Sequence, residues 1–174
     1  MLYETERLTV HRATDADVDP LLCVVADPGV MRHFAHGLPW SREELVGFLA
    51  QYPEGDPNLV CVPGVLRLRP AGQVVGFGGV GYYMSEGTTA DLYYVLAKDY
   101  WGAGLATELG RAALADAFSR PEVSYVNASA MPVNAPSIRV LEKCGLRFVK
   151  YIPEADRNLY RITRAEWTTH PARG

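Results

Sequence analysis

Hydrophobic and polar positions change period several times along this chain, and the changes predict a succession of short strands and helices. Leu8 and Val10 alternate with polar neighbours, which is typical of a strand with one buried face. Asp19 followed by Pro20 has the pattern of a helix N-cap and first helical residue, so the first helix is predicted there. The SREE sequence at 41–44 is a capping box and predicts a second helix.

The middle of the chain combines apolar and β-branched runs with glycine and proline turns. Strands are predicted from Leu59 to Leu68, from Val74 to Met84 and from Asp91 to Leu96. Turns are predicted at 70–72 and at Gly87. Because such short turns join antiparallel neighbours, this region predicts an antiparallel sheet.

The C-terminal half predicts two helices and three strands. A long amphipathic helix is predicted from about Gly104 to Phe118, since apolar residues recur there at four-residue spacing. A strand from Tyr125 to Ala130 and a helix from Ala135 to Cys144 follow, with final strands at 146–151 and 158–163. The whole order predicts an α+β fold with a mixed, mostly antiparallel sheet and helices on its faces.

Composition narrows the class of protein. The 174 residues are 48% hydrophobic and 21% charged, which predicts one globular domain over residues 1–174. The net charge of −3 gives no electrostatic case for nucleic acid, and no apolar run reaches the length of a membrane span. The first residues carry charges where a signal peptide needs an apolar stretch. Cys23, Cys61 and Cys144 form no CxxC pair, so we predict a cytoplasmic protein.

Two glycine-rich segments have the appearance of phosphate-binding loops. The first is not followed by the helix that such a loop requires. Residues 76–81 read GFGGVG, which matches the GxGxxG dinucleotide fingerprint. That fingerprint must open a helix after a strand, whereas Tyr82 and Tyr83 continue a strand here. We interpret the segment as a glycine-rich strand, which leaves an NAD-binding domain as a distant alternative.

The second segment, WGAGLAT at 101–107, follows a strand and opens the long helix. Glycines let consecutive backbone N–H groups converge on one point, and the helix dipole adds partial positive charge there. The segment therefore predicts a pyrophosphate-binding loop that needs few cationic side chains. Lys98 is a cation close by in sequence. An ordinary glycine-containing loop before a core helix remains the alternative.

The WGxGxATE sequence at 101–108, together with NxxSxxxLEKxG at 134–145, resembles the GNAT superfamily of acetyltransferases. Within it, the chain resembles the RimJ/RimL-like ribosomal-protein N-acetyltransferases, from ETERL at 4–8 to the closing strand and tail. The resemblance implies a GNAT-like sheet whose middle strands splay apart around acetyl-CoA. It implies direct attack, in a ternary complex, by a primary amine of a small molecule or a protein N-terminus. It also favours a monomer or homodimer.

The resemblance also implies which residues bind acetyl-CoA. The backbone of Val95 and Leu96 is expected to pair with the pantetheine arm like a missing strand. The N–H groups between Gly102 and Thr107 are expected to hold the pyrophosphate. The full set of expected cofactor-binding residues is Val95, Leu96, Trp101, Gly102, Ala103, Gly104, Leu105, Ala106, Thr107, Asn134 and Ser137.

The catalytic candidates are Ser137, Asp91 and Asn134. In many GNAT enzymes a tyrosine seven residues after the asparagine protonates the leaving thiolate, but Leu141 stands there and cannot donate a proton. The subfamily suggests Ser137 instead, with an exposed helical serine as the alternative. Asp91 matches a family glutamate and is the candidate base, with a solvated strand-end carboxylate as the alternative. A catalytically silent acyl-CoA-binding sensor is the competing function, because the usual tyrosine is missing.

The candidate acceptor-binding residues are Phe34, Trp40 and Tyr93. Family members usually carry glycine at the position of Tyr93, and Phe34 and Trp40 lie in a region that borders the family's acceptor site. For Trp40, packing in the core is the competing interpretation. We expect no metal, because His33 and His36 lack an evident third ligand.

Overall fold

The computed structural model describes residues 1–83 and 89–169. Its strands are β1 (Tyr3–Glu4), β2 (Leu8–His11), β3 (Leu59–Cys61), β4 (Gly64–Leu68), β5 (Gln73–Tyr83), β6 (Asp91–Leu96), β7 (Tyr125–Ala130), β8 (Arg147–Ile152) and β9 (Arg157–Thr163). Its α-helices are α1 (Val18–Val25), α2 (Pro28–Met31), α3 (Arg42–Leu49), α4 (Leu105–Phe118), α5 (Ala135–Lys143) and α6 (Arg164–Thr169). The turn predicted at Gly87 and the strand end predicted at Met84 lie outside the described residues. Within those ranges, no helix has the length and apolar character to cross a membrane.

One mixed sheet organises the molecule. Its strand order is β1-β2-β4-β5-β6-β7-β9-β8, and β3 pairs with β5. The pairings are antiparallel except for that of β6 with β7, which is parallel. Helices α1 and α3 pack on one face against Phe77 and Val95, whereas α4 packs on the other against Val75 and Leu96. The predicted α+β class with a mostly antiparallel sheet is confirmed.

The parallel pair β6 and β7 diverges almost as soon as it forms. Asp91 lies opposite Asn127, and the Asn127 N–H donates to the Ala90 carbonyl at 2.8 Å. On its other side, β6 pairs with residues 76–81 of β5 along its whole length. A gap therefore opens between β6 and β7 beyond Asp91 and widens toward Leu96.

The GxGxxG segment lies inside β5, where the sheet needs glycine for close approach. Gly76 has a φ of 154°, and a Cβ built on it would lie 2.0 Å from the Val95 carbonyl oxygen. No helix follows, because β5 continues to Tyr83. The interpretation as a glycine-rich strand is confirmed, and the NAD-binding alternative loses its structural basis.

The first helix begins earlier than the sequence predicts. Helix α1 starts at Val18, so the prediction of Asp19 as its N-cap was wrong. The physical reason is a short 3-10 turn at Asp15–Asp17 that leads directly into the helix, and at its start the Thr14 N–H and hydroxyl donate to the Asp17 carboxylate at 2.9 and 2.8 Å. Asp17 is also buried and paired with Arg67, which fixes the start of the helix.

The strand predicted from Leu59 to Leu68 is divided into β3 and β4, whereas most other local predictions match closely. In the capping box before α3, the Ser41 N–H donates to Glu44 Oε2 at 2.7 Å and the Glu44 N–H donates to Ser41 Oγ at 3.2 Å. Helices α4 and α5 and the last three strands begin and end within about two residues of their predicted bounds. Three short elements were not predicted: β1, α2 and α6.

Candidate active site

The glycine-rich turn before α4 stands at the wide end of the gap. Gly102 and Gly104 have φ values of 74° and 83°, in the left-handed region that favours glycine. Gly104 is the N-cap of α4, and its carbonyl accepts from the Thr107 and Glu108 N–H groups, both at 3.1 Å. The N–H groups before Thr107 therefore precede the first intrahelical bond, and they lie at the positive end of the helix dipole. An anionic group fits this position.

Arg7, rather than Lys98, is the cation beside this turn. Arg7 Nη1 donates to the Ala103 carbonyl at 2.8 Å, and its Nε donates to Glu108 Oε2 at 2.7 Å. Lys98 Nζ instead pairs with Asp27 Oδ1 at 2.8 Å, which turns it toward α2. Although Lys98 is close to the turn in sequence, its ammonium group is paired with the N-cap residue of α2 rather than with the turn.

Backbone direction alternates along β6, and this alternation decides which residues face the gap. The Ala97 N–H donates to the Val75 carbonyl on β5 at 2.9 Å, whereas the Ala90 carbonyl accepts from Asn127 on β7. Odd-numbered residues of β6 therefore direct their backbone groups at β5, and even-numbered residues direct theirs at the gap.

This alternation corrects the expectation for Val95. Its carbonyl faces Gly76 on β5, so its backbone groups do not point into the gap. Those of Leu96 and Tyr94 do. The Leu96 carbonyl accepts from Trp101 Nε1 at 2.7 Å, so Trp101 ties the end of β6 to the glycine-rich turn. Leu96 and Tyr94, rather than Val95, are therefore the β6 residues whose backbone groups face the gap.

Helix α5 brings Ser137 to the gap, and Asn134 caps the start of this helix. The Asn134 Oδ1 accepts from the Ser137 N–H at 3.3 Å. The half-buried Ser137 Oγ lies 2.9 Å from Tyr94 Oη, which also approaches the Ser137 carbonyl at 3.3 Å. Leu141 is 2% exposed and belongs to the core. Tyr94 was missed because nothing in the local sequence links it to a serine 43 residues away.

Asp91 lies at the apex of the gap, where β6 and β7 still pair. Thr89 Oγ1 donates to Asp91 Oδ2 at 2.6 Å. The side chain retains contact with solvent, yet desolvation by the surrounding protein raises the pKa of Asp91, while the Thr89 hydrogen bond acts in the opposite direction. A carboxylate with a raised pKa accepts a proton more readily than an ordinary aspartate.

The acceptor candidates belong to a cluster of aromatic side chains on the same face as Asp91. Tyr93 Oη donates to Tyr52 Oη at 2.9 Å, and the ring centroids of Tyr93 and Phe34 are 6.1 Å apart. Trp40 is 8% exposed and its ring stacks on Phe77 at 6.1 Å. Trp40 is therefore a core residue, which is the competing interpretation of the sequence. Tyr52 is a member of this cluster that the sequence did not reveal.

The loop between α2 and α3 is tied to β9. Arg157 donates to the His33 carbonyl at 3.2 Å and to the Ala35 carbonyl at 3.3 Å. His33 Nδ1 lies 3.4 Å from Met131 Sδ, just after β7, whereas His36 Nε2 lies 3.0 Å from Glu44 Oε1. The two histidines therefore face different partners rather than a common point.

Cys144 is buried between α4 and α5. Its Sγ donates to the Thr107 carbonyl at 3.6 Å, and burial raises the pKa of the thiol to about 11. A thiol with so high a pKa stays protonated at neutral pH and makes a poor nucleophile.

A splayed parallel strand pair with a helix N-terminus at its wide end is the arrangement that the GNAT resemblance implies. The family model described as "Acetyltransferase (GNAT) domain" matches residues 7–147, so the chain belongs to the GNAT acetyltransferase family.

Known proteins resemble the chain over nearly its full length. The "Uncharacterized N-acetyltransferase YnaD" of Bacillus subtilis (strain 168) is 27% identical over 173 residues, which cover 94% of this chain and 97% of the relative. A GNAT acetyltransferase structure from Bacillus anthracis superposes with a TM-score of 0.77 at 24% identity, covering 93% of this chain and 98% of its own. Spermidine N-acetyltransferase from Vibrio cholerae, solved with CoA and spermine, superposes with a TM-score of 0.74 at 16% identity, covering 92% of this chain and 98% of the Vibrio cholerae chain.

Proposed function

We propose that this protein transfers the acetyl group of acetyl-CoA to a primary amine, by direct attack in a ternary complex. The observation that carries the proposal is the divergence of β6 from β7 beyond Asp91, with the glycine-rich turn of α4 at the wide end. Membership of the GNAT family supports it. The particular RimJ/RimL-like subfamily, suggested by the sequence motifs, is part of the proposal.

The gap and the turn suit two successive parts of the CoA molecule, the pantetheine arm and the pyrophosphate. We assign the pyrophosphate to the N–H groups between Gly102 and Thr107, where no Cβ of Gly102 or Gly104 blocks close approach. The pantetheine arm, which carries amide groups, would pair with the backbone of Tyr94 and Leu96 as an added strand. Trp101 is already bound to the Leu96 carbonyl and fixes this edge.

The chemistry divides among three groups. Asp91, directly or through water, takes the proton that the attacking amine loses. The Tyr94 N–H, directed at the gap, is placed to stabilise the negative charge that develops on the thioester oxygen. Ser137 donates a proton to the sulfur as it leaves. Asn134 contributes by capping α5, which holds Ser137 in the first turn.

The acceptor is proposed to be an α-amine or a similarly weak base. An α-amine with a pKa of about 7.7–8.0 is roughly 10% neutral at pH 7, whereas an unperturbed lysine is below ~0.1% neutral. Asp91 is a modest base, so an acceptor that is already partly neutral suits it better. The three free cysteines fit a cytoplasmic location, which we also propose.

A panel of amines tests the function. Purified protein with acetyl-CoA should release free thiol when given peptides with a free N-terminus, amino acids, aminoglycosides or polyamines, and at least one class should exceed the rate of hydrolysis. Blocking the N-terminus of the best peptide is the matched control. If no amine raises thiol release although acetyl-CoA binds, the chain is the catalytically silent sensor, a reading that the leucine at position 141 keeps open.

A further inference from the structure

Tyr94 reaches from the strand on one side of the gap to the helix on the other. Its side chain lies on the α4 face of the sheet, because Tyr94 packs with the core clusters that contain Leu92 and Leu96. From there its hydroxyl meets Ser137 Oγ at 2.9 Å. The contact joins β6 to the first turn of α5, so it spans the place where the thioester would lie.

We propose that Tyr94 is a positioning residue that orients the Ser137 hydroxyl toward the leaving sulfur and resupplies its proton. This inference rests on the proposed function, since it assigns a supporting group to the same site. Ser137 alone is half-buried on a helix turn, and its hydroxyl can rotate among several directions. In the proposed arrangement Tyr94 Oη is the donor of this contact, so it occupies an acceptor position on Ser137 Oγ and leaves the serine hydrogen for the sulfur.

The proton transfers balance. As the thioester C–S bond breaks, its electron pair goes to sulfur, and Ser137 Oγ donates its proton there. Tyr94 Oη passes its own proton to Ser137 Oγ in the same direction. Tyr94 then regains a proton from water, and Asp91 releases to the solvent the proton that it took from the attacking amine. Ser137 and Tyr94 therefore end each turnover as they began.

The surroundings of Tyr94 keep its proton in place until it is needed. Burial raises the pKa of Tyr94 to about 12, the hydrogen bond with Ser137 lowers it, and Cys144 raises it slightly. Tyr94 is therefore a neutral phenol at physiological pH and a donor rather than an acceptor of protons. Leu141, where other GNAT enzymes have the tyrosine, is buried and leaves this role to a residue on the facing strand.

A double-mutant cycle tests the inference. Tyr94→Phe removes one oxygen and should lower kcat on the order of 10-fold, with KM for acetyl-CoA nearly unchanged, since the lost hydrogen bond acts in the transition state. Ser137→Ala should lower kcat by about 10- to 100-fold. If the two act as a unit, the double variant should be no slower than Ser137→Ala alone. Ser137→Thr, which keeps the hydroxyl, should restore much of the rate.

Tyr3→Phe is the matched control. Tyr3 is another half-buried tyrosine, and its buried hydroxyl has no hydrogen-bond partner among the described residues. Removing that hydroxyl should leave kcat unchanged. Calorimetric titration with acetyl-CoA verifies that each variant is folded and binds.

The outcomes separate this inference from the proposed function. Three results would overturn the relay while the proposed function stands, provided that the protein still acetylates amines. Tyr94→Phe could keep its full kcat, it could change only KM, or the losses of kcat in the two single variants could be additive in the double variant. If only water accepts the acetyl group, the same cycle is measured on hydrolysis. Non-additive losses there would support the relay while the proposed function fails. No thiol release to any acceptor would overturn both.

Discussion

Asp91 and Ser137 stand on opposite faces of the sheet, and this separation suits their proposed roles. Asp91 shares its face with Tyr93 and Tyr52, and burial together with the nearby Asp91 carboxylate raises the pKa of both phenols. Ser137 contacts Tyr94, which belongs to the α4 face. A base on one face of the sheet and an acid on the other fit a reaction in which the amine approaches from one face and the thiol departs toward the other.

Asp91→Asn should slow the reaction and stabilise the protein. We expect kcat/KM to fall by about 10- to 100-fold, and its decrease at acidic pH to weaken, because the group that must lose a proton is gone. The raised pKa of Asp91 means that folding favours its neutral form. Its stabilising contribution is present below pH ~4, the unfolded pKa, and is lost as pH rises through the folded pKa.

The melting temperature of Asp91→Asn should therefore exceed that of the wild type at pH 7, and the difference should shrink below pH ~4. Calorimetric scans across that range measure it, alongside a steady-state pH profile with the best acceptor. Unchanged kinetics would remove Asp91 from the catalytic groups. Equal stability at every pH would show that the fold does not penalise its charge.

Single residues were predictable where a local pattern defines them and not where a distant contact does. Asp91 and Ser137 follow from motifs, and the alternation of a strand would have selected Tyr94 over Val95 once the neighbour of β6 was known. That Arg7 rather than Lys98 is the cation beside the glycine-rich turn depends on its pairing with Glu108. The two residues are 101 positions apart, so no local stretch of sequence shows the contact.

Helix α4 is anchored at both ends by arginines from distant segments. At its N-terminus, Arg7 contacts Glu108 and the Ala103 carbonyl. At its C-terminus, Arg164 donates to the Phe118 carbonyl at 2.5 Å, to that of Arg120 at 2.5 Å and to that of Val123 at 2.6 Å. Phe118 is the last residue of α4, where a helix has unpaired carbonyls and partial negative charge, and Arg120 and Val123 belong to the segment that follows. The guanidinium therefore stabilises the end of α4 and ties the following segment to it.

Arg164→Met should destabilise the protein by about 3 kcal/mol, because methionine fills a similar length but three carbonyls lose their charged hydrogen-bond donor. Urea unfolding measures the loss, and acetyl-CoA affinity should stay within about twofold because the binding turn is at the other end of α4. Arg147→Met is the control, since its side chain is 70% exposed and its contact with Glu166 is 3.6 Å. That variant should lose less than about 0.5 kcal/mol. Equal losses in the two variants would contradict the anchoring role.

Elements were predictable in proportion to their length and capping. The long helix α4 and the capped α3 follow from periodicity and from Ser41 and Glu44. The two-residue strand β1 and the four-residue helix α2 are too short to show a period. The start of α1 was misplaced because an N-cap-like Asp-Pro pair follows the actual Thr14–Asp17 cap, and only the burial of Asp17 distinguishes them.

At the scale of the whole molecule, the sheet consists of two parts that meet at one point. Strands β1 to β6 form one part and β7 to β9 the other, and the register between β6 and β7 has one pair along the described strands, Asp91 with Asn127. Few backbone bonds hold the parts together, so a ligand that pairs with the free edge of β6 adds to their cohesion.

Acetyl-CoA should therefore raise the melting temperature, and NAD should not. At a concentration 100-fold above its Kd, a ligand that binds only the native state adds about 2.7 kcal/mol, which in a chain of this size raises Tm by about 5–10 °C. Gly104→Asp should abolish most of the shift, since a carboxylate beside the pyrophosphate weakens binding by more than ~2 kcal/mol. Gly104→Ala shares the positive-φ strain but adds no charge, so it should retain a larger part of the shift. Equal shifts in the two variants would mean that the pyrophosphate binds elsewhere, and a shift with NAD alone would contradict the cofactor assignment.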